Sequence, residues 1–518
     1  MKKIWMLLLF LPLWSCNDWL DVTSEKSVTL QGYFKSEEDL ERLMVSVFVA
    51  ERNVTASSWP DVFGYCGLQC DQAGDQEGLR KLDPKDFFRH DESWRNYYRI
   101  IYLASLMEEN RFRFENVTGK RADYWIAQAN FAKAYAYFEL ARKWGEVPIS
   151  PGTEKTGAVG KSPVEEVLAE AIRCAEIALK SLPKHEALTD SRGNLVKSKQ
   201  YASLGTVNTL LANIYAWMGG LYQKAEYWQK AEAYASEVID GKAGYYDLES
   251  TIELLQQNTL GDKRESTETI FSIELNEMDM DWYNTTGFQH YYPGLTLVSY
   301  PYLTSDPRKV ETDVNTPRIT VETVRKIYPE NQDQRREKYW YKLGKVAYPE
   351  SESSKDSIYS DYAFLTKWNE PYETTNPDVV EGQKGLVVAM KGNRVIWRLA
   401  DLILLRAECR ARQNNIGGAV ADLDRVRTRA GLDQYSGPQE AELLRKEIFH
   451  ERERELFGEG QRYYDIVRNS YFREELLGHY RSLADQDVKN GALYLPVATR
   501  SFKKNPLMKQ NIYWSWQQ

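Results

Sequence analysis

The stretch Val395-Ile-Trp-Arg-Leu-Ala-Asp-Leu-Ile-Leu-Leu-Arg-Ala-Glu-Cys-Arg-Ala-Arg-Gln413, then Asn414-Asn-Ile-Gly417, then Gly418-Ala-Val-Ala-Asp-Leu-Asp-Arg-Val-Arg-Thr-Arg429, decides the fold class. Apolar residues recur at spacings of three and four, so 395–413 and 418–429 read as helices, with 414–417 the turn and Gly431 the stop. The same plan stands upstream: Val207 to Met218 as helix, Gly219-Gly220 as turn, and Gln223 to Ile239 as helix, with Ala225, Ala231 and Ala235 at close-packing positions. Helix pairs of about 34 residues with small residues at their contacts read as tetratricopeptide-type units. The strict consensus is absent, and a generic bundle of helical hairpins would pack by similar rules, so both readings stand at this point.

Outward from these pairs, Ser36-Glu37-Glu38-Asp39 opens an apolar-periodic run to Phe48, with Ser36 as cap and the acids in the first turn. Further helices read from Trp94 to about Arg113 and from Ala122 to Trp144, the latter stopped by Gly145 and Pro148. Ser162-Pro163-Val164-Glu165 has the form of a capping box with proline at the first helical position, opening a helix to Leu182. Two segments break the pattern. Residues 53–93 carry Gly, Pro, Asp and aromatics without a period, and 244–393 form a long insertion in which Thr269 to Glu274 alone alternates as a strand. Loop-rich insertions in a helical scaffold are usually functional.

Composition narrows the function. The 518 residues are 42% hydrophobic and 27% charged, which excludes disordered and fibrous classes. With Lys plus Arg at 67 against 75 Asp plus Glu, the net charge of −8 gives no basic field for nucleic acid. Only five histidines are present, which leaves few ways to assemble a His-built metal or catalytic site. The 15 Trp, 34 Tyr and 17 Phe exceed what a core needs and leave rings for ligand contact.

The N-terminus sets the compartment. Lys2 and Lys3 precede a short apolar run from Ile4 to Leu13, a signal-peptide core too short to span a bilayer. It ends Leu13-Trp14-Ser15-Cys16, which resembles a bacterial lipoprotein cleavage box. On that reading residues 1–15 are removed and Cys16 carries the lipid, tethering a soluble body. The alternative is a secretory peptide cut elsewhere, with Cys16 an ordinary thiol. Of the other cysteines, Cys174 and Cys409 sit in Ala- and Leu-rich helical patterns and read as small core residues. Cys66 and Cys70, four apart, stand equally as a disulfide or as two thiols, and no partner His or Cys is near enough for zinc.

Most catalytic motifs fail. Gly160-Lys161-Ser162 ends like a P-loop, but Lys155 occupies the position of the required first glycine. No G-x-S-x-G, H-E-x-x-H or G-x-G-x-x-G occurs. Asp71, Asp75 and Glu77 lack EF-hand spacing and read as a solvated acidic turn rather than a calcium loop. The densest charge cluster, Glu451-Arg452-Glu453-Arg454-Glu455 with Glu459, Arg462, Asp465 and Arg468, could be a carboxylate site. Its alternation of acid and arginine at bridging distance on a helix favours a structural ion-pair network.

Several segments together resemble the SusD/RagB family of Bacteroidetes outer-membrane lipoproteins. After Cys16, Asn17-Asp18-Trp19-Leu20-Asp21 is similar to that family's mature start. Tyr135-Ala136-Tyr137-Phe138-Glu139-Leu140 with Trp144-Gly145-Glu146-Val147-Pro148 resembles its "YF.L...YG.VP" stretch, with Asn130 where Arg is usual. Arg398-Leu399-Ala400-Asp401, Ala407-Glu408 and Val426 to Gly431 match its helix pair, and Glu451 to Arg468 matches its "ER..EL..EG.R..D..R" signature. Leu495-Pro496-Val497, Asn505-Pro506 and Gln510-Asn511 match its closing segment, with Val497 and Ala498 as departures.

The resemblance implies an all-α chain of about four tetratricopeptide-like helix pairs, forming one SusD-like domain over 16–518. The helical scaffold then covers about 36–48, 94–240 and 394–470, with ligand-facing irregular segments about 53–93 and 244–393. It implies a non-catalytic lipoprotein of the outer membrane that captures an oligosaccharide or polysaccharide, without a cofactor, for a SusC-like TonB-dependent transporter. The alternatives are a surface glycoside hydrolase with an unrecognised carboxylate pair, for which any of the 75 acids qualifies, or a peptide-binding relative.

No binding motif carries over, so site residues follow from chemistry: flat rings for the C–H faces of sugars and polar groups for their hydroxyls. The loop segments offer Trp59, Tyr65, Trp282, Tyr283, Tyr291, Trp340 and Trp368 for stacking, and Asp71, Asn284 and Asn369 for hydroxyls. Each alone is more readily a core or bystander residue than a ligand contact, and the set carries more weight than its members.

Overall fold

Alanine sets the spacing of the scaffold. The helix Gly119–Trp144 buries nearly every side chain from Ala122 to Trp144, among them Ala127, Ala129, Ala132, Ala134, Ala136 and Ala141. So many methyl-sized contacts let neighbours approach on several sides: Arg95–Glu109 packs against it on one side and Val164–Ser181 on another. The computed structural model describes residues 33–57, 62–261, 263, 266–275, 300–302, 304–351, 353–374, 386–503 and 505–517. Within them four helix pairs follow one another: Glu37–Ser57 on Arg95–Glu109, Gly119–Trp144 on Val164–Ser181, Leu204–Tyr222 on Ala225–Ile239, and Leu399–Arg412 on Ile416–Arg429. Consecutive pairs are in contact, and Ala441–Leu456 packs on the last. Among the described residues no helix is long and apolar enough to cross a membrane.

Local chemistry explains the element ends. At the first helix Ser36 Oγ accepts from the Asp39 N–H at 3.3 Å while the Asp39 carboxylate accepts from the Ser36 N–H at 3.0 Å, a reciprocal cap. Four details correct the sequence reading. Residues 395–398 are not helical: Arg394–Arg398 is a strand, antiparallel to Thr269–Ile273, pairing Ile273 with Arg394 and Thr269 with Arg398. Val395, Ile396 and Trp397 favour the extended form, and the chain enters its helix only at Leu399. Gly219-Gly220 is not a turn either. Both glycines lie inside Leu204–Tyr222, and the chain reverses at Gln223, which adopts the left-handed conformation at φ 53°. The capping-box reading at Ser162 also fails. Pro163 is the cap residue of Val164–Ser181, and the Ser162 N–H is spent on the Val147 carbonyl at 2.9 Å. Finally, 53–93 is less irregular than expected: the first helix runs on to Ser57, and Val62–Cys66, Glu77–Arg80 and Pro84–His90 are short helices.

The cysteine alternatives resolve. No disulfide joins Cys66 and Cys70, both buried. The Cys66 thiol contacts the Leu79 carbonyl at 3.3 Å and the Tyr480 hydroxyl at 3.5 Å. Burial pushes the Cys70 thiol up to about 12, so it is inert.

The inserted segment carries Pro307–Thr312, Val321–Ile327 and Arg335–Lys338 as short helices, with small two-stranded ladders between them. One ladder, Ala347–Pro349 with Ser357–Tyr359, stands at the surface.

The glycines at 219 and 220 are packing residues. A Cβ on Gly220 would sit 2.6 Å from the Arg468 carbonyl oxygen, which is backbone and cannot swing away. Gly220→Ala is therefore expected to destabilise the protein by about 1–3 kcal/mol. The exposed helical Gly417, where a Cβ meets nothing within 4 Å, should gain about 0.5–1 kcal/mol as Gly417→Ala. Denaturant midpoints of the two variants check the pair; equal shifts would exclude the packing role.

Candidate functional site

The structure divides the sequence-predicted residues into three groups. Tyr65, Trp340 and Trp368 are core residues, 2%, 0% and 3% exposed, and cannot offer a ring face to a ligand. The Trp340 ring packs against Phe457 with centroids 5.2 Å apart, and Trp368 packs over Gly458, which leaves just room for it. Asp71 is exposed, yet its carboxylate accepts from the Thr320 N–H at 2.6 Å and the Thr323 hydroxyl at 2.9 Å. It holds Thr320, the cap residue of Val321–Ile327, and pins the 70–77 loop to the insertion, so each of its oxygens already accepts a bond. Asn369 is exposed. Trp59, Trp282, Tyr283, Asn284 and Tyr291, and the lipidation residue Cys16, lie outside the described residues.

Next to the two buried tryptophans stands a face of tyrosines that the sequence reading passed over. Trp340 bridges Leu365 in an antiparallel ladder, and the Tyr341 N–H donates to the Phe364 carbonyl at 2.8 Å. Tyr339 and Trp340 both go inward, and Tyr341, in the turn that follows, is left half-buried at the surface. The Tyr300 ring meets Tyr341 edge-on at 5.5 Å and tilts over Phe364 at 4.9 Å. Tyr302 is half-buried beside them, and burial raises its phenol above the ordinary range. Further along, the Arg318 guanidinium lies 5.3 Å over the half-buried Tyr362 ring, and Glu311 accepts from the hydroxyls of Tyr348 and Ser360. Tyr359, opposite Ala347 in the surface ladder, is 69% exposed. Half-exposed phenols combine an apolar face with a polar edge, which suits stacking on sugars better than the sealed indoles beneath. No local period marks Tyr341: Tyr339 and Trp340 are both buried just before it, so only the fold shows which ring stays outside.

The charged signature is sealed. Arg335, 0% exposed, reaches Glu451 at 2.8 Å, Glu455 at 3.1 Å and Asp333 at 2.8 Å. Arg398 reaches Glu268 at 2.7 Å, Glu455 at 2.6 Å and Glu459 at 2.7 Å. Arg429 joins Glu268 and Glu455, and the Lys367 amine donates to the Glu455 and Phe457 carbonyls and to Glu459. A second chain runs from Asp401 through Arg452, Asp465 and Arg468 to Glu408, tying three helices. Burial alone would raise the Glu451 carboxyl; the Arg335 and Arg454 guanidiniums overcome it and bring it down to about 2. Against the same burial, Arg429, Arg398 and Arg335 hold Glu455 well below the usual carboxylate range. Such acids stay ionised and paired and have no proton to give at neutral pH. Glu51 is the opposite case, lifted by burial to about 7, but it is 1% exposed and held by Gln200 Nε2 at 2.9 Å. Among the described residues no three His, Cys, Asp or Glu side chains gather as a metal ion would need.

Comparison with known proteins agrees with this architecture. The model of the SusD family matches residues 251–514, and a second model, described as starch-binding and associating with the outer membrane, matches residues 18–207. SusD-like protein P25 of Formosa agariphila is 20% identical over 96% of this chain and 95% of its own length. SusD-like protein P38 of the same organism is 22% identical over the same shares. A crystal structure of a SusD homolog from Bacteroides thetaiotaomicron superposes with a TM-score of 0.73 at 21% identity, over 94% of this chain and all of the other. The fold of helix pairs is therefore that of SusD-type proteins.

Removing one carboxylate of the sealed network leaves several guanidiniums facing each other without water. Glu455→Gln should cost about 3–5 kcal/mol. Glu322→Gln, which removes an exposed pair with Lys326, should cost about 1 kcal/mol or less. Because the Glu451 carboxyl lies lower in the folded chain than in the unfolded one, its stabilisation is complete above the ordinary carboxylate range. It is lost as pH falls from about 5 toward 2. Urea denaturation between pH 7 and 3 should show that acid limb in the wild type and a shallower one in Glu451→Gln.

Proposed function

The chain belongs to the SusD family, and we propose on that footing that it is a non-catalytic glycan-binding protein of the outer membrane. In this reading Cys16 carries the lipid anchor, the loops capture an oligosaccharide or polysaccharide, and a SusC-like TonB-dependent transporter receives it. The observation that carries the reading is the match of residues 18–207 to a family described as starch-binding and associating with the outer membrane. The tyrosine face of Tyr300, Tyr341 and Tyr362 supports it, because ring faces with hydroxyl edges are what a glycan surface needs. The sealed network weighs against the hydrolase alternative: its carboxylates are buried, ionised and bridged to arginine, whereas glycoside hydrolysis asks for an exposed pair with one raised carboxyl. Asn369 at the surface, and Trp59, Trp282, Tyr283, Asn284 and Tyr291 on the loop segments, are the remaining proposed contacts.

Native affinity electrophoresis of the chain from Asn17 onward, run in gels containing plant, host or microbial polysaccharides, tests this. One glycan class should retard the protein and release no reducing ends. Tyr341→Ala and Trp282→Ala should each weaken the retardation about tenfold or more, as loss of a stacked ring does at well-packed binding sites. Trp340→Ala should act through stability instead, lowering the melting temperature. Release of reducing sugar would replace capture with catalysis, and absence of retardation on every glycan would turn the assignment toward the peptide-binding alternative.

A further inference from the structure

A small polar recess lies where the segment before the Leu204–Tyr222 helix meets the strand Thr269–Ile273. Lys199, Lys263, Thr269, Ser272, Glu274 and Asn393 line it, and it has room for little more than one water-sized group. Its walls are fixed by backbone. The Ser272 N–H donates to the Lys199 carbonyl at 3.3 Å, the Glu274 N–H to Gln200 Oε1 at 3.2 Å, and the Leu275 N–H to Asn393 Oδ1 at 3.3 Å.

The Thr259 and Ser266 hydroxyls on its wall pair with each other at 2.7 Å, but four other donors there have no acceptor among the described residues. Lys199 is 8% exposed, and its amine makes no hydrogen bond and no ion pair among the described residues; it lies only against the Tyr246 ring, 5.2 Å from the centroid. The hydroxyls of Ser272 and Thr269, 2% and 5% exposed, and the amide nitrogen of Asn393 are likewise without an acceptor among the described residues. Buried donors are ordinarily satisfied, and a buried ammonium most of all. Four donors without a protein acceptor among the described residues thus line one open recess, where water or a ligand oxygen can accept from them. The charge such a ligand would carry follows from the surroundings: Lys199 and Lys263 face the recess, with Glu274 the one carboxylate on its wall among the described residues. Behind Lys199, Glu186 attracts the amine, while burial and the Lys199 charge hold His185 down at about 4 and so neutral.

We propose that this recess is an anion subsite that takes one carboxylate of an acidic sugar. The Lys199 ammonium meets the charge, and Ser272, Thr269 and Asn393 donate to the oxygens. A sugar ring is too large to enter, so the ring stays outside and an oxygen of its carboxylate is what reaches into the recess. Naming a sugar as the carrier rests on the glycan-binding reading above; the carboxylate chemistry rests on the recess alone.

Burial brings the Lys199 amine down to about 8, against the pull of Glu186. A bound carboxylate favours the ammonium, so binding must raise that value. By the same linkage, affinity should be level below pH 8 and fall about tenfold per pH unit above it, until binding no longer holds the proton.

The test is an NMR titration of the lysine side chains in the chain from Asn17 onward. The Lys199 signal is identified by its loss in Lys199→Met or, should that variant fold poorly, Lys199→Gln. Sodium glucuronate should raise the Lys199 midpoint by one unit or more, acetate by less, and glucose not at all. Calorimetry with a uronic-acid oligosaccharide should then show at least a tenfold loss in Lys199→Met and a few-fold loss in Ser272→Ala, with neutral oligosaccharides unaffected. A Lys199 midpoint unmoved by either carboxylate overturns the subsite. Equal shifts with acetate and glucuronate overturn the sugar as carrier. If neutral glycans retard the chain while Lys199 does not respond, the subsite falls and glycan capture stands. If glucuronate shifts Lys199 while no glycan of any class binds, the anion subsite stands and glycan capture falls.

Discussion

The buried ion-pair network around Glu455 is the constraint on which the rest of the structure depends. Its members come from places far apart in the chain: Glu268 just before the strand Thr269–Ile273, Asp333, Arg335 and Lys367 in the insertion, Arg398 at the end of the strand Arg394–Arg398, Arg429 on the last helix pair, Glu451 and Glu455 on Ala441–Leu456, and Glu459 just past it. Taking that many charges out of water costs several kcal/mol per ion, and only near-complete pairing offsets it. The network therefore tolerates little rearrangement. Arginine suits the task because its planar fork donates to two or three acceptors at once, as Arg335 and Arg398 both do. A lysine at Arg398 could not span Glu268, Glu455 and Glu459 together.

This locking has a consequence for the insertion. Residues 333–340 and 364–368 are fastened inward by Arg335, Lys367, Trp340 and Trp368, all buried. Residues directly following these buried runs, Tyr341 and Asn369, are left at the surface. A loop-rich segment thereby gains a rigid floor and keeps an outer face whose side chains do not bear on stability. Binding specificity can change on such a face at little cost to the fold.

The helix pairs were legible because apolar period and small contact residues are local signals, and they placed three of the four pairs closely. What was not legible depended on partners distant in sequence. Val395 to Trp397 reads as helix until Thr269 to Ile273 is laid beside it. Gly219 and Gly220 read as a turn because nothing local reveals that Trp228 and the Arg468 backbone press against them. The candidate site suffered most. Tryptophan in a loop looks like a binding residue, yet the largest ring is also the most favourable to bury, and Trp340 and Trp368 went to the core. The Glu451 to Arg468 signature was read correctly as structural, since alternating acid and arginine on one helix already implied mutual satisfaction.

Lys367 and Lys199 bring the argument to a point. Both amines are buried, and burial brings both down to about 8. Lys367 is supplied from within: two carbonyl oxygens and the Glu459 carboxylate accept its protons, and no space remains beside it. Lys199 has a ring against its side and a recess lined by donors like itself. The same desolvation has been imposed on both, but only one has the acceptors that ordinarily accompany it. Where a fold otherwise completes its buried charges as thoroughly as this one does around Glu455, a buried ammonium left open to a recess is better understood as half of a pair whose other half arrives with the ligand.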